Sequence, residues 1–141
     1  MSAPAGYAYF DVAADVGVRA WGPTLPEAFA QTALGVFALM VDPLSVERRE
    51  SREVRAQADS REALLVNWLN ECLYLHDIEG FVVHRIEVPV FEAKKVHALL
   101  WGEALDPARH RVGTLVKAAT FHQLQITESD GGWDIRVILD I

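Results

Sequence analysis

Two acidic side chains, far apart in the sequence, could supply oxygen ligands to a cation. Asp140 directly precedes Ile141, the last residue of the sequence, so a side-chain carboxylate stands beside a main-chain carboxylate. Two adjacent anions repel each other unless a cation lies between them. Asp15 lies between two apolar segments, close to Gly17, and would add a third oxygen ligand. Such an all-oxygen set suits Ca²⁺ or Mg²⁺ better than zinc.

The same residues also have an ordinary structural interpretation. Asp140 and the carboxylate of Ile141 can both point into water, where salt screens their repulsion. Asp15 can be a turn aspartate. The spacing alone leaves both interpretations open.

Lys117 is a cation in an apolar stretch. Residues 115–122 read LVKAATFH, which predicts a strand with Lys117 in its middle, on the face of Leu115, Ala119 and Phe121. A buried cation is costly without a partner. A solvated outer face, or an edge charge that opposes aggregation, would explain Lys117 equally well.

The histidines and the single cysteine have simple structural interpretations. His76 and Asp77 end a predicted helix, where a histidine interacts favourably with the helix dipole. His110 lies between two arginines in a polar loop that could contact an acidic or phosphate-bearing partner, although such loops are more often solvated. Cys72 falls on a buried stripe, where it would be an inert small hydrophobic residue.

Two helices must position these residues. Residues 24–27 form a T-x-x-E capping box, and apolar residues then recur at spacings of three and four until Pro43 forces an end. The second helix has Asp59 or Ser60 as its N-cap and ends at Gly80.

The remaining segments read as strands, at residues 7–12, 16–21, 52–58, 81–92, 96–101, 115–127 and 133–141. Pro89 indicates an edge strand or a bulge, and residues 130–132 (Asp-Gly-Gly) indicate a tight hairpin. Short connections favour antiparallel pairing. The sequence therefore predicts a single α+β domain over residues 1–141, with two helices packed on a mainly antiparallel β-sheet.

Composition excludes several classes of protein. The chain has 141 residues, 51% of them hydrophobic, and its 13 basic and 20 acidic residues give a net charge of −7. A disordered chain would be less apolar, and a stand-alone nucleic-acid binder would carry a basic surplus. The lone Cys72, the lack of a membrane-spanning apolar run and the absence of a basic leader favour a cytoplasmic protein. The common phosphate-loop, dinucleotide, zinc-protease and serine-hydrolase motifs are missing.

Several short runs follow one another in an order that is specific, although each run alone is weak. They are residues 14–22 (ADVGVRAWG), 27–29 (EAF), 69–71 (LNE), 73–77 (LYLHD), 102–103 (GE), 106–110 (DPARH), 113–114 (GT), 116–122 (VKAATFH) and 137–141 (VILDI). Together they cover essentially the whole chain and resemble the archease family.

The resemblance implies an accessory role. Archeases assist RtcB-type RNA ligases in tRNA splicing and RNA repair, and promote guanylylation of the ligase's active-site histidine by GTP, which allows multiple turnovers. The implied protein is not itself an enzyme. Its acidic net charge, independently of the resemblance, leads us to expect no direct stable binding of nucleic acid. The implied fold is an α+β sandwich.

The resemblance also implies a metal site, typically with calcium. Its ligands correspond to Asp15, Asp140 and Ile141, and Lys117 occupies a functional position of the family. Three further residues of the matching runs are candidates for contact with the partner: His76, Asp77 and His122.

This sequence departs from the family pattern in two places. The usual His-Thr before the alanine and metal aspartate is replaced by Val12-Ala13, ahead of Asp15. The glutamate that usually precedes the Val-Lys pair is replaced by Leu115, two residues before Lys117.

Two other functions stay open at this point. One is a chaperone-like binding module for an RNA-modifying enzyme such as a tRNA methyltransferase. The other is a small metal-dependent hydrolase using Asp15, Asp140 and His122, although no nucleophile–base pair is evident. The sequence also leaves open whether the protein forms a homo-oligomer.

Overall fold

The computed structural model describes residues 4–141, which form eight strands and two α-helices. The strands are β1 (Gly6–Val12), β2 (Asp15–Gly22), β3 (Glu50–Gln57), β4 (Phe81–Glu92), β5 (Lys95–Ala104), β6 (Ala118–Ala119), β7 (Gln125–Ser129) and β8 (Gly132–Asp140). The helices are α1 (Leu25–Met40) and α2 (Arg61–Glu79), and a short 3-10 helix (Pro43–Ser45) follows α1.

Helix α1 begins and ends where its capping residues predict. The Oγ1 of Thr24 accepts a hydrogen bond from the N–H of Glu27 at 3.3 Å. At the other end Val41 is already extended, two residues before Pro43. Its buried residues repeat at helical spacing, so one side of α1 faces the core.

Helix α2 is also closed by its caps. The Oγ of Ser60 accepts a hydrogen bond from the N–H of Ala63 at 3.1 Å. Gly80 adopts the left-handed conformation, with φ of +61°, and its N–H donates to the carbonyl of His76 at 2.9 Å. Of the two predicted N-cap residues, Ser60 is the one that caps the helix.

The strands divide into two antiparallel sheets. One has the order β1-β2-β8-β6, with β7 also paired to β8, and the other has the order β3-β5-β4. Antiparallel pairing and the α+β class are therefore confirmed. The division into two sheets was not predicted, because alternation shows which residues face inward but not which strand lies alongside.

The hairpin and edge-strand predictions are confirmed. Strand β4 is an edge strand, and its register with β5 shifts between Glu87 and Val90, on either side of Pro89. Ser129 pairs with Gly132 at the tight turn between β7 and β8.

The prediction of one continuous strand over residues 115–127 is wrong. Only β6 and β7 are strands there, and a turn between them holds Gln123 at a φ of +52°. The side chain of Thr120 donates to the carbonyl of Ile138 and accepts from the N–H of His122, so it directs the chain into this turn. Apolar content alone did not reveal the break.

The helices join the two sheets through one core. Helix α1 packs on β2 and β4, and α2 packs on β3 and β6. The indole N–H of buried Trp68 in α2 donates to the carbonyl of Phe29 in α1 at 3.0 Å. Within residues 4–141, neither helix combines the length and apolar character that crossing a bilayer requires.

Strand β2 runs alongside α1 in the opposite direction. A β-carbon on Gly22 would lie 3.0 Å from Cβ of Glu27, near the start of α1, and one on Gly35 would lie 3.0 Å from Cγ1 of Val18. The first residue of β2, Asp15, therefore lies toward the carboxyl end of α1.

Candidate functional site

Asp15 and Asp140 occupy corresponding positions on neighbouring strands. In the antiparallel pair of β2 and β8, Val16 stands opposite Leu139. Asp15 is the first residue of β2 and Asp140 is the last residue of β8. If the register continues by one residue, these two residues stand opposite each other. Residues opposite each other on antiparallel strands share a face, with Cβ atoms roughly 4.5–5.5 Å apart. Asp15 is half-buried and Asp140 is exposed, so both carboxylates can meet solvent or a solvated ion.

Lys117 lies beside the end of β8. Its N–H donates to the carbonyl of Asp140 at 2.8 Å, and Ala118 stands opposite Asp140. The same register sets Lys117 opposite Ile141. We call the group Asp15, Asp140, Ile141 and Lys117 the acidic pole.

The environment predicted for Lys117 is wrong. Lys117 precedes the two-residue strand β6 rather than lying in the middle of a long strand, and its side chain is exposed. Leu115 and Phe121, expected on a buried face with it, are also exposed. No buried cation therefore needs a partner here.

The acidic pole offers the donor set of a hard cation. Two carboxylates and the main-chain carbonyl oxygen of Ile141 are all oxygen ligands, as Ca²⁺ and Mg²⁺ prefer. Within residues 4–141, no group of three or more His, Cys, Asp or Glu side chains is arranged to hold a metal ion. The predicted set contains two such side chains, so the assignment of Asp15, Asp140 and Ile141 as ligands stays a prediction.

The other predicted partner-contact residues lie at the end of α2 and after β6. The Nδ1 of His76 is 3.0 Å from the carbonyl oxygen of Phe81, and its ring packs edge-on against Phe37 at 6.2 Å between centroids. These contacts fix the end of α2. Asp77 and His122 are both exposed. Contact of His76, Asp77 and His122 with a partner stays a prediction.

A buried carboxylate lies outside the set predicted as a site. Glu103 in β5 is 3% exposed. Its Oε2 accepts from the N–H of Glu47 at 2.7 Å and from the Nη1 of Arg109 at 3.0 Å, and its Oε1 binds the Nη2 of Arg109. The guanidinium of Arg109 contributes most to lowering the pKa of Glu103 to about 2. Glu103 is therefore a buried carboxylate whose charge is compensated by hydrogen bonds and which stays ionised well below the usual pKa of a glutamate.

His110 belongs to the same network, so the expectation of a solvated loop is wrong for this residue. His110 is 4% exposed, and its Nε2 lies 3.0 Å from the Oε2 of Glu103. The N–H of Asp106 donates to Nδ1 at 2.8 Å. Since Nδ1 accepts, the ring proton is on Nε2, which donates to Glu103. Asp106 and His110 stand four residues apart, a spacing that could have indicated a local turn closed by the ring.

This anchored loop leads into the segment that carries Lys117. The N–H of Gly113 donates to the carbonyl of Met40, and the N–H of Thr114 donates to that of Leu39, both at 2.7 Å. These bonds satisfy carbonyls in the last turn of α1. The route of the chain from Glu103 to Lys117 is thus fixed at both ends.

Asn70 ties α2 to the same region. Its Oδ1 accepts from the N–H of Ala119 at 2.9 Å. In the sequence, Asn70 is a polar residue among apolar residues of α2, which indicates that it has a hydrogen-bond partner. The partner could not be identified without the tertiary structure.

Comparison with known proteins gives one consistent family. Residues 7–141 match the family model described as Archease protein family (MTH1598/TM1083). The chain is 38% identical over 137 residues to the protein archease of Pyrococcus abyssi and 40% identical over 137 residues to that of Thermococcus gammatolerans. Each alignment covers 94% of this chain and 96% of the relative.

Solved structures agree with this result. The solution structure of Methanobacterium thermoautotrophicum protein 1598 is similar, with a TM-score of 0.83 and 37% identity, over 96% of this chain and 99% of that one. An archease of Thermotoga maritima, described as a possible chaperone, has a TM-score of 0.56 at 17% identity, over 100% of this chain and 98% of that one. At that identity the second match supports the fold alone.

Proposed function

The chain belongs to the archease family, and from that premise we propose that it activates an RtcB-type RNA ligase. In this proposal the chain promotes guanylylation of the ligase's active-site histidine by GTP. The ligase can then complete many rounds of RNA joining in tRNA splicing or RNA repair. The chain itself catalyses no reaction, and it acts in the cytoplasm.

One observation carries the proposal. Continued by one position, the register of β2 and β8 sets Asp15 opposite Asp140, and Lys117, in the segment before β6, donates its N–H to the carbonyl of Asp140. Two anions and a cation held where neighbouring strands of one sheet begin and end can contact a charged site on another protein. Their common position supports a single contact surface.

A divalent cation fits this proposal. Asp15, Asp140 and Ile141, the last through its main chain, would hold it, with Ca²⁺ preferred and Mg²⁺ as the alternative. When bound, the ion supplies positive charge that offsets the two carboxylates. Lys117 contributes a second, exposed positive charge that suits a phosphate or an acidic group of the ligase's nucleotide site.

The overall charge also supports a basic partner. The chain carries a formal charge of −7, and an RNA-handling enzyme carries Lys and Arg for phosphate contacts. Complementary fields of this kind accelerate association and fix orientation.

A second candidate function is that of a chaperone. The archease of Thermotoga maritima is described as a possible chaperone, and this chain belongs to the same family. A chaperone-like module would raise the solubility of an RNA-modifying enzyme, such as a tRNA methyltransferase, without changing its chemical rate.

A turnover assay separates the two functions. A limiting amount of a purified RtcB-type ligase is given GTP, a divalent ion and excess RNA ends, with and without this chain. We expect several products per ligase only when the chain is present. Unchanged product together with a larger soluble fraction of ligase would favour the chaperone function.

A further inference from the structure

Several exposed apolar side chains belong to the segment that carries Lys117 and to the segment bonded to it. Among residues 4–141, seven large hydrophobic side chains are exposed, and four of them belong to the two segments 42–46 and 111–122. These four, which we call the apolar patch, are Leu44 (94% exposed), Val112 (64%), Leu115 (64%) and Phe121 (59%). Exposed apolar side chains grouped in this way mark an interaction surface more often than side chains scattered singly.

The two segments of the apolar patch are joined through their backbones. Val41 and Val112 form an isolated antiparallel bridge, and the N–H of Asp42 donates to the carbonyl of Arg111 at 2.9 Å. Leu44, in the 3-10 helix, and Val112 therefore belong to neighbouring stretches of chain. Leu115 and Phe121 follow Val112 along the same segment of chain.

The backbone that carries the patch is already ordered. Lys117 and Thr120 each donate a main-chain hydrogen bond to β8, at 2.8 Å to Asp140 and 3.1 Å to Ile138, and Phe121 follows directly. A surface of fixed backbone loses little conformational entropy when it binds. Exposed apolar side chains on a backbone fixed in this way are better suited to binding another protein than to remaining in contact with water.

The charges beside the patch indicate the chemistry of its occupant. Leu115 and Phe121 flank Lys117 in the sequence, and Asp15 and Asp140 lie at the start of β2 and the end of β8, next to Lys117. The matching surface would have an apolar recess beside basic groups. An enzyme pocket that binds a nucleoside triphosphate supplies such basic groups, because it must neutralise phosphates.

We propose that Leu44, Val112, Leu115 and Phe121 form the docking surface for the ligase and seat Lys117 at the rim of its nucleotide pocket. This inference rests on the proposed function and names its contact surface. The apolar side chains supply affinity, while the acidic pole and Lys117 supply the effect on guanylylation. Affinity and maximal activation are then carried by different residues.

The double variant Leu115→Ala, Phe121→Ala tests this division. We expect its dissociation constant for the purified ligase to rise by at least about tenfold, as for central apolar contacts. At saturating concentration it should still activate guanylylation fully, because Lys117 and the acidic pole are intact. Its thermal unfolding should match that of the wild type, since both side chains are exposed. If the double variant folds poorly, the single variant Leu44→Ala provides the same test.

Ile78→Ala is the matched control. Ile78 is 66% exposed and lines the groove between α2 and β3, with Val54. Its affinity for the ligase should stay within about twofold of the wild type. Equal affinities for the double variant and this control would overturn the inference while leaving the activator function standing.

Two further outcomes separate the inference from the proposed function. A wild-type chain that sediments as a dimer, with the double variant monomeric, would show that a second copy covers the patch, and would overturn the inference. A wild-type chain that neither binds nor activates the ligase would overturn the proposed function itself.

Discussion

Lys117 and Glu103 are two charged residues that the protein holds in opposite ways. Glu103 is buried, and Arg109, His110 and the N–H of Glu47 compensate its charge. Lys117 is exposed, and only its backbone is fixed. Glu103 therefore contributes to stability, whereas Lys117 can change without affecting the fold.

Replacing Lys117 by alanine should abolish activation without unfolding the protein. The side chain is exposed, so the free energy of unfolding should change by less than about 0.5 kcal/mol. Lys117→Arg should retain part of the activity, because the positive charge remains. Guanylylation of the ligase and urea unfolding measure the two effects separately. Full activation by Lys117→Ala would remove Lys117 from the proposed site.

Because of Glu103, the free energy of unfolding should decrease as the pH falls into the acidic range. Its pKa is about 2 in the folded state against 4.5 for an ordinary glutamate, so its contribution is present above pH 4.5 and is lost as the pH falls toward 2. That shift corresponds to about 3 kcal/mol. In urea unfolding, Glu103→Gln should therefore be less stable than the wild type by about 3 kcal/mol at pH 7, and the difference should shrink as the pH approaches 2.

The control for this experiment is Glu128→Gln, in which an exposed carboxylate of β7 is changed. Its difference from the wild type should be small at every pH. A difference between Glu103→Gln and the wild type that is the same at pH 7 and pH 3 would show that the charge of Glu103 does not stabilise the fold.

The segment between β5 and β6 packs closely against the carboxyl end of α1 at Gly113. A β-carbon on Gly113 would lie 2.4 Å from the carbonyl oxygen of Leu39, a backbone atom that cannot move cheaply. Glycine allows the N–H of residue 113 to reach the carbonyl of Met40. This contact fixes the position of residue 113, from which the chain continues to Lys117.

Gly113→Ala should therefore displace the segment and destabilise the protein by roughly 1–3 kcal/mol. We expect large amide chemical-shift changes at Thr114 and Lys117 in NMR spectra, and a lower midpoint of thermal unfolding. Thr114→Ala, which adds no atom near α1, is the control. Unchanged spectra for Gly113→Ala would contradict the close packing.

Both helices could be predicted from sequence because their caps are local. Ser60, Gly80 and the capping box at residues 24–27 act through hydrogen bonds within four residues. The break between β6 and β7 could not, because Thr120 directs the turn through a bond to Ile138, a residue on β8. Elements with local signals were predictable, and those defined by distant partners were not.

The candidate site also combines features that are local in the sequence with features that depend on distant residues. The residue types of Asp15 and Asp140 suggested oxygen ligands, but the pairing of β2 with β8 that sets them opposite each other was not readable from alternation. The burial of His110 was missed because its partner Glu103 lies across a loop, and Glu103 is itself bound by Glu47 of another segment.

At the scale of the whole molecule, the two sheets and two helices bring distant parts of the chain to the acidic pole. Asp15 comes from the start of β2, Asp140 from the end of β8 and Lys117 from the segment before β6. Cation binding at this pole would connect the beginning and the end of the fold. Binding should therefore stabilise the molecule globally rather than one loop.

Calcium should raise the unfolding temperature of the wild type. A ligand that binds only the folded state, at about 100 times its dissociation constant, stabilises by about 2.7 kcal/mol. Asp15→Asn with Asp140→Asn should lose this effect while keeping the fold. Differential scanning calorimetry with and without Ca²⁺, and then Mg²⁺, measures it. Equal calcium shifts for the wild type and the double variant would place the ion elsewhere.

The most direct test of the account is the initial rate at which a purified RtcB-type ligase becomes guanylylated by GTP. The wild-type chain should raise this rate, and the doubly substituted Asp15→Asn, Asp140→Asn chain, folded and at equal concentration, should raise it far less. A rate that is the same with the wild-type chain, with the variant and with neither would contradict the account.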